Sequence, residues 1–160
     1  MTLAYVALGA NLGNPIITIQ AAIAALDEIP ASARVATSSL YRTAPVGLKH
    51  QPDFINAVVA LETQLAPQAL LEQLFAIEFQ FGRQRSVRNA PRTLDLDLLL
   101  HGDAILDGAA LTLPHPRMHE RAFVLAPLAE IAPLIAVPGH GAVSQLLTFC
   151  AGQQIERYAA

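Results

Sequence analysis

Apolar positions in this chain fall into two periods, and their alternation gives the order of the elements. Leu3 to Leu8 is a short β-rich run and reads as a first strand. Ile16, Ile19, Ala22, Ile23 and Leu26 then recur at helical spacing. Asn14 is placed to cap that helix, with Pro15 at its first position, and Pro30 ends it. Arg34 to Tyr41 reads as a second strand and Phe54 to Leu61 as a third, with a loop between them. Pro67 opens a second helix carrying Leu70, Leu71, Leu74, Ile77 and Glu78 at helical spacing, and Gly82 stops it. Thr93 to Leu100 is a fourth strand, and His101-Gly102-Asp103 a turn. Two short strands are expected at Ala104–Leu106 and Ala109–Leu113, and helical pieces within Arg117–Ile131 and Val143–Ala151.

The order is βαββαβ with a C-terminal extension. That predicts an α+β fold, a ferredoxin-like sandwich with helices packed on one face of an antiparallel sheet. No repeat or linker divides the 160 residues, so 1–160 is expected to be a single domain.

Composition narrows the class. Apolar residues make up 53% and charged residues 14%, a globular balance. A net charge of -3 does not suggest non-specific binding to nucleic acid. Cys150 is the single cysteine, so no internal disulfide can form, in keeping with a reducing compartment. The first residues lack the basic region of a signal peptide, and the apolar stretch Ala122–Val137 is interrupted by Pro127, Glu130 and Pro133. A monomer in the cytoplasm, without nucleic-acid or membrane partners, is the expectation.

The chemistry concentrates in one segment. Arg83, Arg85, Arg88, Arg92, Arg117 and Arg121 gather in an otherwise acidic chain, and a planar guanidinium suits phosphate or carboxylate oxygens. In Thr93–Leu100 leucine alternates with aspartate. On a strand, Asp95 and Asp97 then share a face with bases roughly 6.5–7 Å apart, while Leu94, Leu96 and Leu98 take the other. Two carboxylates that close repel unless a cation lies between them. Mg²⁺ resolves this, since it takes one or two carboxylates and completes its shell with water and substrate phosphates; two ions are also compatible. Mg²⁺ beside arginine is the equipment of phosphoryl transfer. A plain solvent-facing strand would show the same D-x-D, so the arginines carry the distinction. Phe54 and Asn56 also share a face, a ring and an amide suited to a flat heterocycle, although a core ring and a loop-satisfying amide would read alike. Phe123 is a third candidate ring. There is no P-loop motif and no G-x-G-x-x-G, and Gly9 and Gly13 read as turn residues. His115 and His119 lack a third zinc ligand.

Taken together, these segments resemble 6-hydroxymethyl-7,8-dihydropterin pyrophosphokinase, an enzyme family of folate biosynthesis. The signature R-x-[GA]-P-R-x-x-D-[LIV]-D is met by Arg88, Ala90, Pro91, Arg92, Asp95, Leu96 and Asp97. L-G-A-N-L-G, Y-R-T-A-P-V-G, Q-P-D-F-I-N-A-V, F-G-R-Q-R and L-P-H-P-R-M-H-E-R-A-F-V-L-A-P-L match in order, over nearly the whole chain. The resemblance implies transfer of the β,γ-pyrophosphate of ATP to the hydroxymethyl group of the reduced pterin, leaving AMP. It implies Asp95 and Asp97 as ligands of two Mg²⁺ ions, and Arg83 and Arg92 as catalytic arginines on the triphosphate. Glu78, Arg88, Leu98, Thr112, His115 and Arg121 match positions around ATP. Thr43, Ala44, Pro45, Val46, Phe54, Asn56 and Phe123 match positions around the pterin. The loops Ala44–Gln51 and Arg83–Pro91 match lids that close over the substrates. Two features depart from the pattern. Asn89 stands in a shortened arginine loop where some members carry tryptophan, and Pro116 follows His115 where some have tyrosine.

Two other classes fit parts of the pattern. A Mg²⁺-dependent nucleotidyltransferase or nuclease would need a nucleic-acid path, against which stand the net charge and the lack of aromatics among the arginines of 83–92. A non-catalytic ferredoxin-like regulatory module would have no use for two aspartates on one face.

Overall fold

The computed structural model describes residues 1–44, 52–82 and 94–158. Its main sheet has six strands: β10 (Ile155–Arg157), β3 (Tyr41–Thr43), β4 (Phe54–Thr63), β1 (Thr2–Ala10) and β5 (Asp95–His101) in that order, with β2 (Ser32–Thr37) pairing β4 beside β3. The strands that set the site are β1, β3, β4 and β5. All their pairings are antiparallel. The expected βαββαβ core is present: α1 (Pro15–Leu26) follows β1 and α2 (Pro67–Gln80) follows β4.

The helix signals act as read. Asn14 Oδ1 accepts the Ile17 N–H at 3.3 Å, with Pro15 in the first turn. Such a cap is worth about 1 kcal/mol. α2 has no side-chain cap and begins on Pro67, whose missing N–H costs nothing there. It ends where Gly82 takes φ +80°, a left-handed conformation that a Cβ would strain.

Four expectations change. The second strand divides into β2 (Ser32–Thr37) and β3, because Ser38 intervenes. Ser38 Oγ accepts the Val58 N–H at 2.9 Å, so a side chain replaces a backbone partner and interrupts the ladder. His101 lies in β5 opposite Ala4 rather than in a turn, its Nε2 held 2.8 Å from the Leu65 carbonyl oxygen. Only Gly102 and Asp103 make the turn. Both short strands after it form but are shorter than expected, Leu106–Asp107 (β6) and Thr112–Leu113 (β7), paired to each other.

The last change concerns the layers. α1 and α2 bury Ile19, Leu26, Leu70 and Leu74 against Val6, Leu8, Ile55, Val59, Leu96 and Leu98 on one sheet face. The C-terminal extension covers part of the other face. There a 3₁₀ turn (Met118–Glu120), α3 (Ala122–Ile131) and α4 (Val143–Thr148) pack Met118, Leu125, Leu128 and Leu146 on Tyr5, Val58, Ala60, Leu99 and Leu100. A hairpin, β8 (Ala136–Val137) and β9 (Gly141–Ala142), links α3 to α4, and β10 (Ile155–Arg157) then joins the sheet edge beside β3. The periodicity of the tail gave its helices but not the face they cover, nor the strand that follows them. Among the described residues no helix is long and apolar enough to cross a membrane.

Candidate active site

The second sheet face is only partly covered by α3 and α4, and the rest carries the candidate chemistry. Strand register lines up its residues. Tyr41 of β3, Asn56 of β4, Gly9 of β1 and Asp95 of β5 form one row. The next row is Val58, Ala7 and Asp97. Thr43 and Phe54 pair one step beyond Asn56, at the open end. The D-x-D alternation thus has the predicted effect: Leu96 and Leu98 are buried against α1 and α2, while Asp95 and Asp97 sit half-buried on the opposite face.

Gly9 belongs to this row and not to a turn, which corrects the sequence reading. A Cβ there would lie 3.2 Å from Asn56 Oδ1. Only glycine therefore keeps the surface between the Asn56 amide and the Asp95 carboxylate flat. No local signal marks it, because both neighbours come from strands distant in sequence. Asn56 is buried, and its Nδ2 donates to Thr43 Oγ1 at 2.9 Å. This fixes the amide beside Phe54, which is half-buried at the start of β4. Ala44 follows as an exposed residue. Pro45 and Val46 lie outside the described residues, as do Arg83, Arg88 and Arg92. Asn11, which sequence reasoning passed over, is also buried and donates to the Pro52 carbonyl oxygen at 3.3 Å.

Glu78 lies on the last turns of α2 and is 2% exposed. Its Oε2 accepts the Leu96 N–H at 2.7 Å, between the two aspartates. Among the described residues β5 is the last strand in the order, and no described strand bonds this N–H. A carboxylate supplies a strong charge-assisted acceptor in its place. Glu78 thus holds the backbone that carries Asp95 and Asp97. Leu98 is 3% exposed, its side chain in the core; by strand alternation its main chain points off the same edge as that of Leu96.

The remaining positions come from the extension. Thr112 is in β7, half-buried, and the His115 N–H donates to the Leu99 carbonyl oxygen at 2.9 Å, tying this segment to β5. His115 Nδ1 accepts the Arg117 N–H at 3.3 Å, which leaves the proton on Nε2. Burial, and then the charges of Arg121 and Arg117, lower the His115 pKa to about 4, with Asp95 opposing them. A neutral imidazole donor can meet a phosphate oxygen without adding to the positive charge of its neighbours. Arg121 stands at the start of α3, its guanidinium carbon 5.4 Å from the centroid of the Phe123 ring. That ring is half-buried against the α3–α4 core.

The donor set fits a hard cation. Two carboxylates on one face, beside a glycine that leaves room, suit Mg²⁺, which draws its other ligands from phosphates and water. Among the described residues no three His, Cys, Asp or Glu gather into a metal cluster.

The family model described as 7,8-dihydro-6-hydroxymethylpterin-pyrophosphokinase (HPPK) matches residues 5–133. A Pseudomonas aeruginosa protein named 2-amino-4-hydroxy-6-hydroxymethyldihydropteridine pyrophosphokinase is 49% identical over 96% of this chain and 94% of its own length. The Schizosaccharomyces pombe "Folic acid synthesis protein fol1" is 35% identical over 99% of this chain, which spans 22% of that longer protein. In three dimensions, wild-type Plasmodium falciparum HPPK-DHPS aligns with a TM-score of 0.71 at 15% identity, covering 92% of this chain and 41% of that one. The last similarity speaks to the fold; the sequence matches establish that the chain belongs to the 7,8-dihydro-6-hydroxymethylpterin-pyrophosphokinase family.

Proposed function

We propose that this chain is the ATP-dependent pyrophosphokinase that acts on 6-hydroxymethyl-7,8-dihydropterin, yielding AMP and the pterin diphosphate for folate synthesis. The observation that carries the reading is the row Asn56–Gly9–Asp95. A flat, amide-bearing surface directly beside a carboxylate pair supports binding of heterocycle and triphosphate on one sheet face.

Phe54 and Phe123 hold the pterin ring between them, and Asn56 and Thr43, with the backbone at 43–46, read its hydrogen-bonding edge. His115, Arg121, Thr112, Arg88 and the Leu98 main chain hold the nucleotide. Glu78 serves that site through the Leu96 N–H. Asp95 and Asp97 would hold Mg²⁺, two ions in the full complement, which when bound neutralises the triphosphate charge. Arg83 and Arg92 share that neutralisation. The hydroxymethyl oxygen attacks the β-phosphorus and gives its proton to water, and the bond from that phosphorus to the α,β-bridging oxygen breaks, so AMP leaves. Orientation of the two substrates accounts for much of the rate. The reading includes a monomeric cytoplasmic enzyme, supported by small-molecule substrates that need no partner chain.

A product assay with ATP, Mg²⁺ and the reduced pterin tests it. AMP should appear in step with pterin loss. ADP would replace this reaction with ordinary phosphoryl transfer. Absence of turnover, with no Mg²⁺-dependent ATP binding, would refute both.

A further inference from the structure

Glu130 closes the last turns of α3, where the helix dipole disfavours an acid. Its surroundings explain it. Both carboxylate oxygens lie 3.0 Å from the Ser39 N–H. Ser39 Oγ donates to it at 2.9 Å and the Tyr41 hydroxyl at 2.7 Å. Arg157 Nη2 completes the set at 2.7 Å. One side chain, 24% exposed, thus gathers donors from the β2–β3 link, from β3 and from β10. Isolated ion pairs such as Arg42–Glu156 at 3.9 Å have no comparable set.

The elements it joins are those that flank the pterin site. α3 carries Phe123 at its first turn, seven residues or about 10 Å of helix away. β3 begins at Tyr41, in the Asn56–Gly9–Asp95 row, and ends at Thr43, which fixes the Asn56 amide. We propose that Glu130 is a positioning residue for the pterin: it locks α3 to β3 and so sets the gap between the Phe123 ring and the Phe54–Asn56 surface. The inference rests on the pterin reading above. Ionisation is consistent with it. Burial raises the Tyr41 hydroxyl pKa to about 12, reinforced by Glu130. Burial opposes ionisation of Glu130 too, but the bonds from Tyr41, Ser39 and Arg157 outweigh it and hold the carboxyl below its usual value. At neutral pH the contact is therefore a hydroxyl donating to a carboxylate.

The test compares Glu130→Ala, Glu130→Gln and Tyr41→Phe with the wild type by thermal melting and by KM for each substrate. Glu130→Ala should melt cooperatively and raise the pterin KM by about tenfold, the scale of losing bonds to a charged group. The ATP KM should stay within about twofold, since uniform loss of both would not isolate one site. Glu130→Gln, which keeps an acceptor, should recover part of the loss, and Tyr41→Phe should shift the pterin KM in the same direction by less. Equal rises in both KM values, or an unchanged pterin KM in folded protein, would overturn the inference. If Glu130→Ala does not fold, the Gln and Phe variants decide by the same two KM values. Wild-type protein that forms no AMP would overturn the reaction assignment and this inference together.

Discussion

The two ends of one sheet face differ in what they carry. At the covered end, Ala60, Tyr5 and Leu100 form a row under α3 and α4. Two steps along the same three strands, the row is Asn56, Gly9 and Asp95. Between them lies Val58, Ala7 and Asp97, apolar on two strands and acidic on the third. β1 and β4 run in regular register through all three rows, and only β5 is irregular, at Leu99, so most of the contrast comes from side chains. Where helices cover the face, apolar area stabilises the fold. Where none of the described helices covers it, the face carries polar groups, which the proposed function assigns to ligands. The comparison implies a division of effects: substitutions at one end should change stability, and at the other turnover.

The largest departure should come from Asp95→Ala. Loss of one electrostatic stabiliser typically lowers kcat by about a hundredfold or more, while the variant should still melt cooperatively. Activity and melting assays on the same preparation check this. An Asp95→Ala protein that unfolds would make the pair structural and erase the contrast.

Leu99→Ala probes the covered end. Leu99 is the extra residue at the β1–β5 irregularity and is fully buried. Truncation should cost about 2–5 kcal/mol of unfolding free energy, measured with denaturant, while kcat per folded molecule stays near wild type. A large fall in kcat at full folding would mean that the two ends are not separable.

Gly9→Ala sharpens the boundary. The new Cβ would press on Asn56 Oδ1 from 3.2 Å and tilt the amide. The pterin KM should rise by about three- to tenfold, the equivalent of roughly 1 kcal/mol, with melting little changed. An unaltered KM would show that the flat surface beside Gly9 is not used.

The smallest effect is on pH dependence. The His115 pKa is about 4 in the folded chain, below its ordinary value, so the unfolded chain binds the extra proton in between. Stability should therefore fall as pH drops from about 6.5 to about 4, and this contribution should be constant below that range. His115→Gln should flatten that part of a melting-versus-pH series. An identical slope in the variant would mean that the histidine is not held neutral.

Much of this was legible in the chain itself. The cap at Asn14, the stop at Gly82, the helical spacing of α1 and α2 and the alternation of β5 are local signals, set by one or two turns of backbone. So was the family, to which the ordered motif blocks point; two aspartates on one face after a run of arginines underlie the proposed cation and phosphate site. Tertiary structure decided the rest. It put Gly9 between Asn56 and Asp95, closed the free edge of β5 with Glu78, sent α3 and α4 to the second face and gathered Ser39, Tyr41 and Arg157 on Glu130. Each of these depends on which strands become neighbours and on which buried polar group finds a partner. Those choices are made between segments far apart in the chain, where neither periodicity nor caps carry information.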